Sequence, residues 1–141
     1  MEKLKLLITL AVLFTANFGL AHGEDKPGPN GGFIRMPGAF HTELIPDGKN
    51  KLKVYLLDIQ WKNPSVLNSS LEISLKNKKT IKAKCEITEN YYSCVFPDTV
   101  DLTKKGELKV SAQRENQKGM EVMYPLPLKL EAVVDQHKGH H

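Results

Sequence analysis

The chain has 141 residues, 40% of them hydrophobic and 26% charged, with a formal charge of +4. That length holds one hydrophobic core and has no room for a second. The basic excess is mild and spread along the chain, with no Lys/Arg stripe and no interleaved aromatics, so nucleic acid is not an expected partner.

Lys3 and Lys5 precede the apolar run Leu6 to Phe14, and small residues follow at Gly19 and Ala21. This order of charge, apolar run and small residues is that of a secretory signal peptide over residues 1–21, and the apolar run is too short to span a bilayer. Cleavage after Ala21 leaves 120 residues beginning at His22, with 18 basic and 15 acidic side chains. The remainder has no second long apolar run and no lipidation cysteine, so the expected product is periplasmic or secreted, with no membrane span.

Residues 22–32 hold Pro27, Pro29 and four glycines and are expected to form an extended lead-in. A domain over residues 33–131 follows, read as short strands between turn residues. Phe40, Thr42 and Leu44 share one face of the strand closed by Pro46, and His41, Glu43 and Ile45 share the other. His41 is therefore expected at the surface. Lys51 to Lys62 alternates with one shift of parity, which predicts a bulge or a strand buried on both faces. Leu71, Ile73 and Leu75 alternate with Glu72, Ser74 and Lys76, the pattern of a half-buried strand.

Ile81, Ala83, Cys85 and Ile87 fall on one face of a single predicted strand. Pairing Cys85 with Cys94 leaves Glu89-Asn90 as a two-residue turn and places both cysteines opposite each other, which predicts a cross-strand disulfide. Leu108, Val110 and Ala112 begin another strand. The last run, Met120 to Leu130, has Pro125 and Pro127 and suits a sheet edge, with Met120 on the inward side and Met123 outward. Residues 132–141 read as a flexible tail containing histidine. Together these elements predict an all-β chain: an antiparallel immunoglobulin-like β-sandwich of seven or eight strands with one disulfide, barrel closure being the competing architecture.

All five histidines lie at the two ends: His22 and His41, then His137, His140 and His141. A histidine at a free N-terminus can chelate one ion through its α-amine and its ring. A second histidine then completes a T-shaped set of three nitrogens, which suits copper(II), the divalent ion such ligands hold most tightly. His22 and His41 are the candidates, with Glu24, Asp25 and Glu43 as nearby carboxylates. His137, His140 and His141 form a second, looser metal-binding cluster. Met36, Met120 and Met123 are the soft donors that copper(I) would select. The sequence has no nucleophile elbow, no zinc-protease motif, no free thiol and no carboxylate pair spaced for acid–base work, so enzymatic activity is not expected.

Gly28-Pro29-Asn30-Gly31-Gly32, followed by His41-Thr42-Glu43-Leu44, resembles a G-P-H-G-G…H-x-E-L segment of bacterial periplasmic proteins linked to heavy-metal efflux and copper resistance. The strands that follow resemble the small periplasmic β-sandwiches of the YtkA-like and CopC-like kind. The resemblance implies copper held by an N-terminal histidine with other histidines, a role that only His22 and His41 match by position. It also implies a periplasmic efflux or chaperone protein as a partner. Asn30 stands where the efflux-type segment has histidine. The expected function is metal sequestration or hand-off, with copper as the expected ion, and the rival is a metal-free periplasmic adaptor that binds a protein partner through a sheet edge or the flexible ends.

Overall fold

A computed structural model describes residues 25–130. The signal-peptide reading, His22 and the histidines of the tail lie outside the described residues.

Among the described residues ten strands form, and every pairing among them is antiparallel. They are β1 (Phe33–Arg35), β2 (His41–Pro46), β3 (Lys51–Leu57), β4 (Ser70–Asn77) and β5 (Lys79–Lys82), then β6 (Lys84–Thr88), β7 (Tyr91–Val95), β8 (Gly106–Arg114), β9 (Gln117–Lys118) and β10 (Val122–Leu126). The first sheet runs β1-β2-β3-β7-β6 and the second β10-β8-β4-β5, with β9 beside β8. The chain crosses between sheets from β3 to β4, from β5 to β6 and from β7 to β8, and among the described residues no strand of one sheet pairs with a strand of the other, so the two layers form a β-sandwich. No helix among the described residues is long and apolar enough to cross a membrane.

The period-two strands behave as their patterns require. In β4, Leu71, Ile73 and Leu75 are buried, and in β8, Leu108, Val110 and Ala112 are, opposite Leu44, Leu52, Val54 and Leu56 of the first sheet. Tyr124 on β10 ties the layers together. Its hydroxyl lies 2.6 Å from Thr42 Oγ1 and donates to the Thr42 carbonyl at 3.1 Å. The Arg35 guanidinium sits 4.7 Å from the centre of its ring. Burial pushes the Tyr124 hydroxyl above the ordinary phenol range.

The strand count exceeds seven or eight because one predicted run divides and a two-residue β9 pairs with β8, while another predicted run is shortened. β3 ends at Leu57 and does not continue to Lys62, since Asp58 captures the next backbone amides in a loop. The predicted strand from Ile81 to Ile87 splits at Ala83, whose N–H donates to the Ile73 carbonyl at 2.9 Å. Residues before that corner belong to the second sheet and residues after it to the first. Met120 departs from its expected inward side as well: it precedes β10, its N–H bonds the Pro37 carbonyl, and it is exposed.

Cys85 faces Cys94 and Thr88 faces Tyr91 around the Glu89-Asn90 turn, as the pairing of the sequence requires. The disulfide is present, with the Cα atoms 4.0 Å apart. A bridge closing so short a loop contributes about 2–3 kcal/mol in the chain-entropy picture. Cys85→Ala/Cys94→Ala is expected to lose that amount in urea unfolding while the sandwich still forms, because Cys94 is one of many core residues. A loss below about 1 kcal/mol would assign the strand pairing alone the role given to the bridge.

Candidate metal centre

His41 is the one candidate histidine within the described residues, and its surroundings differ from expectation. It lies on the outer face of the first sheet, yet it is 4% exposed. The physical reason is a cover that alternation cannot register: two loops fold over the outer face of β2. One loop covers His41 and the other covers Glu43.

The loop over His41 spans residues 58–63. Asp58 Oδ1 accepts from the backbone N–H of Gln60 at 2.9 Å and of Lys62 at 2.8 Å, while Oδ2 accepts from Asn63 Nδ2 at 2.8 Å. These bonds hold Trp61 and Asn63 at positive φ, 64° and 51°, and that backbone ends the β ladder. The Trp61 ring then meets the His41 ring edge to face at 5.9 Å. The loop is fixed to the body by Arg114, whose side chain donates to the carbonyls of Leu56 at 3.2 Å and Asn63 at 2.6 Å.

His41 Nδ1–H donates to the Asp58 carbonyl at 3.0 Å. A carbonyl only accepts, so the proton of a neutral ring sits on Nδ1 and the lone pair on Nε2. No described residue partners Nε2, and no buried side-chain polar atom among the described residues is left without a partner. Nε2 is therefore the nitrogen that reaches solvent. An imidazole held by a backbone carbonyl through one nitrogen and open at the other has the orientation that metal-ligating histidines take.

Glu43, expected as a carboxylate near the histidines, is instead taken up by the lead-in. It is fully buried. Its Oε2 accepts from the backbone N–H of Asn30 and of Gly32, each at 2.9 Å, and its Oε1 accepts from Asn30 Nδ2 at 2.8 Å. The lead-in is accordingly no extended strap. Residues 28–32 form a tight turn, Gly28 N–H to the Gly32 carbonyl at 2.8 Å and Gly31 N–H to the Gly28 carbonyl at 2.9 Å. A Cβ at Gly28 would lie 2.5 Å from Glu43 Oε2, and one at Gly32 would lie 2.5 Å from the Leu44 carbonyl. Glycine is required there for close approach. The motif that suggested metal therefore does structural work at Gly28, Asn30, Gly32 and Glu43, and Asn30 is a positioning residue where the resembled segment has a ligand.

Among the described residues, no three of His, Cys, Asp and Glu come together in a way that could hold a metal ion. Asp25 is exposed, and Met36 and Met120 are also exposed, on separate segments. A site at His41 would need ligands from outside the described residues, and His22 is the candidate named from the sequence. The turn pinned against Glu43 begins at Gly28, six residues after His22, and six residues span at most about 20 Å. Glu43 and His41 are two residues apart on one strand face, about 7 Å. The chain is thus long enough to bring His22 to His41 from the side of the sheet on which the turn already lies.

Hydrogen bonds from the Lys62 backbone foremost, then from Asn63 and Gln60, hold the Asp58 carboxyl below the ordinary carboxylate range. A folded-state pKa below the unfolded one stabilises the loop above pH 3.8, and that contribution disappears as the pH falls through the lower folded value. Trp61, the sole tryptophan, reports this. Its emission is expected to change in an acid step with a midpoint below 3.8, and Asp58→Asn is expected to remove the step. An unchanged step in Asp58→Asn would assign it to another group.

Comparison with protein-family profiles, with curated proteins and with solved structures finds no match for this chain.

Proposed function

We propose that this chain is an exported copper-binding protein that sequesters or passes on copper(II), held by the amine and ring of His22 and by Nε2 of His41. The observation that carries the reading is the His41 ring, set by the Asp58 carbonyl so that its free nitrogen meets solvent. The turn at residues 28–32, pinned against Glu43 on the same face of β2, supports it, since six residues from Gly28 back to His22 are enough to reach His41. His137, His140 and His141 would serve as a looser collecting segment, and an efflux or chaperone protein of the same compartment would receive the ion. In this reading the protein binds metal and catalyses no reaction.

The test is a copper(II) titration of chain beginning at His22, with residues 137–141 removed, followed by electron paramagnetic resonance. One stoichiometric site with nitrogen hyperfine structure is expected, lost in His22→Ala and weakened in His41→Gln, with near-UV circular dichroism as the check on folding. Loose uptake indifferent to both histidines would overturn the reading.

The rival, a metal-free adaptor, draws on a different observation. Among the described residues β6 is a sheet edge that pairs with β7 alone, and Ile87 on it is 55% exposed. Open edges of this kind accept an added strand from a partner. If the copper test fails, this edge is the surface on which to seek one.

A further inference from the structure

A cleft of about 390 Å³ opens at the end of the sandwich, between the β4–β5 turn and the 97–105 connection. Its volume falls in the lower part of the range of small-molecule sites. The floor is apolar and belongs to the core: Leu75, Val100 and Leu126 lie there, with half-buried Ile81 beside them. The rim carries Lys78, Lys79, Lys104 and Lys105. Asp101 is the one carboxylate on that rim, and its Oδ1 is taken by the Thr103 hydroxyl at 2.6 Å and the Thr103 N–H at 3.0 Å. The cleft therefore presents a cationic mouth over a greasy floor.

We infer that this cleft binds a single-chain amphiphile with a compact anionic head. Lysine ammonium groups are strongly hydrated point charges on flexible stems, suited to a carboxylate or phosphate that remains at the water boundary. Their methylene stems extend the apolar wall toward the mouth. The first methylenes of the ligand displace water from Leu75, Val100 and Leu126, and the head meets the lysines. A cationic head is repelled by the same rim, and an anion without a chain leaves the floor unused. The site is independent of the copper reading, since neither His41 nor the loops over it line the cleft.

The experiment is calorimetric titration of the full exported chain with dodecanoate and dodecyl phosphate below their micelle concentrations. Dodecyltrimethylammonium, dodecyl maltoside, acetate and inorganic phosphate are the comparison ligands. Saturable one-to-one binding of the two anionic amphiphiles is expected, weakened about tenfold in Lys104→Glu/Lys105→Glu, both exposed positions outside the core. The tighter of the two heads tells a free fatty acid from a phosphate-bearing lipid product. Equal binding of the cationic or neutral amphiphile would overturn the inference. So would inorganic phosphate binding as tightly as dodecyl phosphate, or an affinity unchanged in a charge-reversed variant that remains folded by circular dichroism.

Discussion

Glu43→Ala will lower the unfolding free energy by about 3–5 kcal/mol, the range for breaking a buried and hydrogen-bonded carboxylate site. The side chain is fully buried and accepts three hydrogen bonds from Asn30 and Gly32. Truncation leaves the Gly32 N–H facing a void, and each orphaned donor costs about 1–3 kcal/mol. For a domain of this size the melting temperature should fall by about 10–20 °C. Glu43→Gln is the informative companion. It keeps one acceptor oxygen but brings an amide N–H₂ against the donors of the turn, so an intermediate loss of about 2 kcal/mol is expected. Gly28→Ala should approach the Glu43→Ala value by the opposite route, because its added Cβ would meet Glu43 Oε2 and Ile34 Cδ1 at 2.5 and 2.6 Å. Differential scanning calorimetry of the three variants checks this. A melting temperature in Glu43→Ala within about 3 °C of the parent would show that the turn is held by something else.

The parts of this molecule that were legible in the sequence are those whose environment is local. β4 and β8 alternate cleanly because one face of each meets the core and the other meets water. The β6–β7 hairpin was legible because the Cys85–Cys94 pair and the two-residue turn at Glu89-Asn90 demand the same register. β2 was not legible in this way. His41, Thr42, Glu43 and Leu44 are all buried, and the cover over the outer pair comes from residues 28–32 and 58–63, whose placement depends on the whole fold. The end of β3 was hidden for a related reason: Leu57, Ile59 and Trp61 continue an apolar alternation, but the Asp58 side chain satisfies the next amides and closes a loop. A signal was present there, Asp58 five residues ahead of the Asn63-Pro64 break, and the alternation outweighed it. At the candidate site, residue identity was readable and residue role was not. Glu43 drew notice as a carboxylate near histidines, whereas the glycines around Asn30 were the stronger clue, since a turn with three glycines near a strand carboxylate is built for close backbone approach.

Arg114→Ala is expected to cost about 3 kcal/mol and, under the proposed copper site, to weaken copper binding without removing a ligand. The guanidinium is buried on β8 and donates to Leu56 and Asn63, so it fastens both the last turn of β3 and the loop that follows. Hydrogen bonds from a charged donor are worth about 1.5–3 kcal/mol each, and the carbonyls left behind add a desolvation cost. Lysine is no substitute, because a single ammonium cannot span two carbonyls in the fork geometry that arginine provides. The functional consequence follows from the path of contacts. Arg114 holds Asn63, Asn63 Nδ2 donates to the Asp58 carboxylate, and the Asp58 carbonyl accepts from His41 Nδ1. Loosening the first contact frees the imidazole to rotate, and a ligand that must be reoriented on binding loses affinity. Loss of an outer partner of a metal-binding histidine typically costs about 10–100-fold, so a weakening of about tenfold is expected at this greater distance. Trp61 emission should shift toward that of a solvated indole in the same variant. Urea unfolding monitored at Trp61, with copper titration of the folded protein, measures both effects. Stability lost with copper affinity intact would make the 58–63 loop a structural lid over His41 and would detach the imidazole's orientation from metal binding.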